Sequence, residues 1–195
     1  MEPKTLAAIA VFTAITVALV LSPFKIPAPY APFLIYQIWE IPIVVAFLLY
    51  GPVVGVSTSI LNTIVLLAVY PGDLPTGPIY NLAAVLSMLL GIYIVHLFVH
   101  GLSGTRRETM VTASSTVLGM IIRTGVELVV TWIFLPLPYP LGFGLPVEAV
   151  IVTLPIVALF NATVVLYTIP IGYFLAKAVS LGTTTSLWIT KRLKT

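Results

Sequence analysis

The fold is decided by residues 32–56, PFLIYQIWEIPIVVAFLLYGPVVGV. An aromatic and polar cluster leads into an apolar run, which ends at Gly51-Pro52 and is followed at once by a second apolar run. Because proline lacks the amide hydrogen that a helix interior needs, and Gly-Pro is a turn signal, the two runs are interpreted as separate helices. Glu40 stands at the mouth of the first run, where a carboxylate is costly in a bilayer unless it serves a site. We therefore interpret this segment as one wall and part of the lid of a small-molecule site in a membrane protein.

The composition indicates a single membrane domain without catalytic machinery. The 195 residues are 59% hydrophobic and 8% charged, whereas soluble domains carry about 25% charged residues. The chain has no cysteine, and its net charge of +3 is small and gathered near the ends, which is typical of a topology signal and not of nucleic-acid binding. Walker, His-Glu-x-x-His and Gly-x-Ser-x-Gly motifs are missing from the sequence. We therefore expect no catalytic residue, no metal site and no ATP hydrolysis by this chain.

Six apolar segments predict an all-α bundle of six transmembrane helices. They cover residues 6–22, 38–50, 53–70, 79–99, 109–135 and 147–177. A single kinked helix over 41–70 is the alternative and would leave five spans. Six spans with both termini cytoplasmic place all basic residues inside except Lys25 and Arg123. The positive-inside rule therefore favours six.

This topology predicts a multi-pass protein of the cell membrane in two parts. Residues 1–182 are expected to form the six-helix membrane domain. Residues 183–195 end in a basic cluster and are expected to form an amphipathic cytoplasmic tail, with Leu187, Trp188 and Leu193 in the lipid headgroup layer.

Most polar side chains of the predicted spans fall in the outer half of the bundle. Such groups escape lipid only by facing the bundle interior, and there they are commonly functional. Arg123 and Glu127 are four residues apart and share a helix face, so they either neutralise each other as a structural pair or present donors and acceptors to a ligand. The predicted ligand-binding residues are Tyr36, Glu40, Asn62, Asn81, Arg123, Glu127 and Asn161.

The predicted outer loops are rich in proline and aromatic residues. The loops at 22–36, 71–78 and 136–148 hold eleven of the sixteen prolines. Proline lowers the entropy cost of ordering a loop, so we interpret these loops as stiff lids over an apolar ligand. The alternative is that the prolines only end helices. The candidate lid aromatics are Tyr30, Phe33 and Tyr139.

Small residues repeat every four positions in the first span, at Ala10, Ala14 and Ala18. This spacing lets another helix approach closely. Two interpretations stay open, namely packing inside the same bundle and a docking face for a second membrane protein.

Several motifs resemble one transporter family over about residues 5–180. Residues 31–56 look like the second span of the substrate-binding S components of energy-coupling factor (ECF) vitamin transporters, most closely of the riboflavin-specific members. GPIYNL at 77–82 resembles the start of their fourth span, and LFN at 159–161 resembles their Pro-Phe-Asn motif. The alanine repeat resembles their docking motif. Val164 departs from the pattern, because the family carries Lys at this position, and the fifth span often carries Asn near Glu127.

The resemblance implies a non-catalytic subunit that binds a vitamin near the outer face, beneath the loop after the first span. It also implies a transmembrane coupling subunit and two ATPases as partners, with release by toppling of the bundle. Riboflavin is the favoured ligand, and thiamine or a queuosine precursor is the alternative. A structural or assembly protein of the membrane is the hypothesis of a different class. No cofactor is expected apart from the transported vitamin.

Overall fold

The computed structural model describes residues 2–69, 73–98 and 104–190, with only the backbone at 104–107 and 190. Its two short strands and six helices are, in chain order, α1 Pro3–Leu21, β1 Ile26–Ala28, β2 Ala31–Tyr36, α2 Glu40–Tyr50, α3 Pro52–Val69, α4 Gly77–Phe98, α5 Gly104–Phe134 and α6 Val147–Gly182. A 3₁₀ turn, Trp188–Thr190, follows α6. The predicted all-α bundle of six helices is confirmed, with each helix end within five residues of its predicted position.

The loop after α1 contains an antiparallel hairpin that the sequence analysis did not predict. In this hairpin Ile26 pairs with Tyr36 and Pro27 with Ile35, and the register shifts before Ala28. Two residues separate the strands, which is a common length for a hairpin turn. The hairpin gives the loop after α1 a defined shape and places β2 directly before α2.

Five helices are long and apolar enough to cross a membrane, and α2 is the exception. Its 11 residues extend about 16 Å at 1.5 Å per residue, whereas the hydrocarbon core is about 30 Å thick. Nine of the 11 are buried, Ile43, Val44 and Phe47 among them. The predicted second span is therefore a core helix enclosed by its neighbours, with the hairpin completing that part of the bundle.

Glycines allow the helices around α2 to approach closely. A Cβ added to Gly172 of α6 would lie 2.6 Å from Val44 Cγ1, and one added to Gly55 of α3 would lie 2.7 Å from Phe47 Cβ. These distances are shorter than van der Waals contact, so only glycine fits. Small residues bring helix backbones together in this way in membrane proteins. The packing holds α2 rigidly and so fixes Glu40 at its first turn.

The residues after α6 close one end of the bundle. Trp188 packs against Phe47 and Tyr93, with ring centroids 5.6 and 6.2 Å apart, and His96 Nδ1 lies 3.0 Å from the Ile189 carbonyl oxygen. Leu187 and Ile189 are buried. This part of the tail therefore packs against the bundle, whereas the expectation for Leu187 and Trp188 was contact with lipid headgroups; Leu193 lies outside the described residues.

Candidate functional site

A cavity of about 230 Å³ lies between strand β2 and the helices of the bundle, and each of the six described helices contributes to its lining. Strand β2 contributes Phe33, Leu34 and Ile35 to its lining. Glu40 enters from the first turn of α2, and Arg123 enters from α5. The cavity thus has apolar strand residues on one side and an acid and a base on the other.

A buried ion pair joins α2 to α5 in this cavity. Arg123 Nη1 donates to Glu40 Oε2, and Arg123 Nη2 donates to Glu40 Oε1 at 2.9 Å. The two residues are only 4% and 5% exposed. This fork-to-carboxylate geometry is the strongest form of side-chain ion pair. It neutralises both charges in a region where an unpaired charge would be expensive.

Asn161 of α6 holds the third side of the guanidinium. Arg123 Nε donates to Asn161 Oδ1 at 2.9 Å, and Asn161 Nδ2 donates to the Val157 carbonyl oxygen at 3.0 Å. Asn161 is 4% exposed. Three helices therefore meet through one hydrogen-bonded network, and each member limits the rotation of the next.

Arg123 and Glu127 do not form the ion pair that was one of the two interpretations of their spacing. Arg123 turns to α2 and α6, where Glu40 offers two oxygens in the geometry of the guanidinium fork. Within the part of the chain that the structure describes, Glu127 Oε1 has no hydrogen-bond partner, and Glu127 lies outside the cavity lining. The spacing in the sequence placed the two residues on one helix face but left open whether they pair with each other.

The other predicted ligand-binding and lid residues lie at different distances from the cavity. Asn81, at the start of α4, lines it, as does Phe33. Asn62 is buried in α3 outside the lining, one helical turn before the lining residue Leu66, and its Oδ1 has no hydrogen-bond partner among the described residues. Tyr139 is 68% exposed and lies outside the lining.

Tyr30 and Tyr36 fasten the hairpin to α6. Their hydroxyl oxygens are 2.5 Å apart, and Tyr36 Oη lies 2.6 Å from Thr163 Oγ1. The Tyr36 ring also packs on Phe160, with centroids 4.8 Å apart. Burial raises the pKa of the Tyr36 phenol, so the group stays protonated and available as a donor at neutral pH. We name this chain of hydroxyls, Tyr30–Tyr36–Thr163, the lid latch.

No protein-family model and no curated protein matches the chain. Among solved structures, it is similar to the S component of a bacterial ECF transporter, with a TM-score of 0.72 and 21% sequence identity. The alignment covers 93% of this chain and 98% of that chain. The chain shares the fold of an S component. This fold is that of a multi-pass helical membrane protein, as predicted.

In this S-component fold, α6 contributes cavity residues that the sequence analysis missed. Phe160, Val164 and Tyr167 all line the cavity. They follow one another at spacings of four and three residues and so share a helix face. Phe160 belongs to the LFN motif and Val164 stands where the resembled family carries Lys, but apolar residues at helical spacing are usually core residues, so neither was selected as a site residue.

Gln37 and Trp39 also line the cavity and were not predicted. Both flank Glu40 in the segment between β2 and α2. Their position directly before Glu40 was the signal that they could line the same cavity.

The alanines of the first span lie on the surface of the S-component fold. Ala10, Ala14 and Ala18 are exposed. They line a groove of about 560 Å³, on the opposite side of which are Leu61 and Val65 of α3. The groove offers a shallow apolar surface with small side chains along one edge.

Proposed function

We propose that this chain is the substrate-binding S component of an ECF-type ATP-driven importer, and that it binds a vitamin, with riboflavin the favoured ligand. The observation that carries the proposal is the Glu40–Arg123–Asn161 network beside a cavity in a bundle with the S-component fold. Ionisable residues inside a membrane bundle commonly mark a ligand or ion site. An apolar core of the same volume would often be as stable, so stability alone does not account for the pair.

The cavity offers the contacts that a flat heterocycle needs. Glu40 supplies acceptor oxygens, and the Asn81 amide supplies both a donor and an acceptor. Phe33, Phe160 and Tyr167 supply aromatic faces. A ring with N–H and C=O groups along one edge and apolar faces would therefore hydrogen-bond at its edge and stack at its sides. The proposed role is binding without chemical change.

The energy for transport is proposed to come from partners. The chain has no nucleotide-binding motif, so uptake would need a transmembrane coupling subunit and two ATPases. The exposed surface of Ala10, Ala14 and Ala18 is the proposed docking face for the coupling subunit.

The purified protein is expected to carry its ligand. Preparations from cells supplied with riboflavin should be yellow, with flavin absorbance that stays with the protein through gel filtration at close to one equivalent. Added riboflavin should lose its fluorescence on titration with ligand-free protein. A membrane protein of similar size, purified in the same detergent, is the control for carry-over. Preparations that hold no small molecule by mass spectrometry, whatever vitamin is supplied, would contradict the proposed function.

Another vitamin or precursor remains the second candidate ligand because of one observation. Val164 lines the cavity at the position where riboflavin-specific members carry Lys. The loss of a cation there removes a donor from the site, which suits a ligand with different acceptors. Mass spectrometry of the extracted ligand separates riboflavin from thiamine or a queuosine precursor.

Substitution of Ala14 with leucine is expected to separate coupling from binding. The larger side chain would stand in the groove between α1 and α3 and keep a partner helix at a distance. Uptake by cells that also express the coupling subunit and ATPases should fall by about tenfold or more, as expected when close helix packing is lost. Ligand affinity in detergent should stay close to that of the wild type.

Ala7→Leu is the matched control, since Ala7 is exposed on α1 but lies outside this groove. It should leave both uptake and affinity unchanged. If Ala14→Leu abolishes ligand binding as well, the alanine repeat packs within the bundle and is no docking face.

A further inference from the structure

An apolar cleft of about 460 Å³ lies directly beside the polar cavity. Phe24, before β1, and Ile26 of β1 form one side, and Thr163 and Tyr167 of α6 form the other. Ile38, between β2 and α2, lies in the same lining. Phe24 is 74% exposed and Ile38 46%, so the cleft opens to the surroundings of the bundle.

The hydroxyl groups of the cleft are already engaged within the protein. Tyr36 and Thr163 bond to each other in the lid latch, and Tyr167 Oη donates to the Gln37 carbonyl oxygen at 2.7 Å. The surface left to an occupant is therefore ring and aliphatic carbon. Such a surface favours a hydrocarbon group, because a polar group would lose its water without gaining a partner.

Gln37 and Tyr167 belong to both linings and form the partition between cavity and cleft. Tyr167 Oη donates to the Gln37 carbonyl oxygen, and the Tyr167 ring packs against Tyr36 with centroids 6.3 Å apart. Rotation of the Tyr167 side chain would break that bond, move the ring away from Tyr36 and connect the two spaces. Lifting the hairpin instead would break the Tyr36–Thr163 bond and separate Tyr36 from both Phe160 and Tyr167. The sideways connection is the smaller disruption.

The volumes point the same way. The cavity, at about 230 Å³, is smaller than the range of about 300–1,000 Å³ that is common for small-molecule sites. Cavity and cleft together fall within that range.

We infer that cavity and cleft are two compartments of one binding site, joined when Tyr167 turns aside. The ligand is accordingly amphipathic, with a hydrogen-bonding ring or head group at Glu40 and Arg123 and a hydrocarbon group in the cleft. This inference rests on the proposed function and specifies the class of ligand.

Filling the cleft tests the inference. Ile38→Trp places a large ring in the cleft from an exposed position. Ile171→Trp is the control, because it makes the same change at an exposed site of α6 outside both linings. Ile26→Trp fills the cleft from β1 and provides a second test in case Ile38→Trp does not fold. Riboflavin affinity is measured by fluorescence quenching, and compounds retained through purification are extracted and quantified by mass spectrometry. The cleft variants are expected to lower affinity and retention by about tenfold or more, and Ile171→Trp is expected to match the wild type, as a pocket contact predicts.

Tyr167→Phe, in contrast, is expected not to weaken ligand binding. It keeps the ring and removes the bond to Gln37, so opening costs less and the ligand should bind as tightly as in the wild type or up to about fivefold more tightly. Weaker binding by this variant would overturn the inference. The inference would also be overturned if both cleft variants bind the ligand as tightly as the wild type. That result would leave the proposed function intact.

A wild-type protein that binds and retains no ligand would end the proposed function, and the inference with it. If the wild type retains a phospholipid that Ile38→Trp lacks, while vitamin binding is equal in the two, the cleft holds a lipid chain independently of the cavity. That result also overturns the two-compartment site.

Discussion

Replacement of Arg123 with methionine is expected to lower the free energy of unfolding by about 3–5 kcal/mol and to abolish ligand retention. The substitution leaves the Glu40 carboxylate buried without the two donors that it now accepts from. It also removes the donor to Asn161 Oδ1. A buried charge that loses its partner costs far more than the pair contributes, because its desolvation is no longer compensated. Stability is measured by thermal or denaturant unfolding in detergent, and retention by mass spectrometry of the bound ligand.

The double variant Glu40→Gln with Arg123→Met separates stability from binding. No charge is left uncompensated, so most of the lost stability should return. Ligand binding should not return, because the proposed site loses both its acid and its base. If the single variant is as stable as the wild type, the ion pair does not neutralise these charges in the folded protein. If the double variant binds ligand normally, the pair is structural only.

The helices were predictable because their signal is local and strong. Apolar runs of membrane length and the Gly51-Pro52 break mark where α2 ends and α3 begins. The shortness of α2 was visible in the same run, but its enclosure was not, because Gly55 and Gly172 come from other helices. Close packing of three helices is a property of the folded bundle and has no marker in one segment.

The partner of Arg123 was the part of the site that local spacing could not decide. Arg123 and Glu127 are helical neighbours, whereas Arg123 and Glu40 are 83 residues apart. The observed pair depends on how α2 and α5 are placed, and that placement follows from packing throughout the bundle. The sequence did indicate that Glu40, Arg123 and Asn161 share a region, because all three are costly in lipid.

Similar reasons explain why the hairpin and the packing of the tail were not predicted. Prolines at 27 and 32 indicated a stiff loop, but the pairing of Ile26 with Tyr36 depends on α6, which holds Tyr36 through Thr163. Leu187 and Trp188 were interpreted as membrane-surface residues because the same amphipathic pattern suits contact with lipid headgroups and packing against the bundle. The space beside Phe47 and Gly51 that receives Trp188 is formed by α2 and α4 together.

Loss of the Asn161 amide is expected to weaken ligand binding, whereas loss of an equally buried hydrogen bond at the other end of the bundle is not. Asn161→Ala removes the acceptor of Arg123 Nε and frees the guanidinium to rotate out of its present orientation. The expected cost to binding is about 1–3 kcal/mol, equivalent to about a five- to 150-fold increase in Kd. Isothermal calorimetry with the ligand identified in the extract gives the comparison.

His96→Ala is the matched control. His96 is 3% exposed and lies 3.0 Å from the Ile189 carbonyl oxygen through Nδ1, so its loss also breaks a buried bond. It stands beside Trp188, in the last turns of α4, while the cavity is reached from the first turn of that helix at Asn81. The free energy of unfolding should therefore fall in both variants, but ligand affinity should change only for Asn161→Ala. The Kd of His96→Ala should stay within about twofold of the wild type, because hydrogen bonds remote from a ligand act on folding and not on binding. A loss of affinity in His96→Ala with none in Asn161→Ala would place the ligand at the tail end of the bundle, and the Glu40–Arg123–Asn161 network would then serve only to hold three helices together.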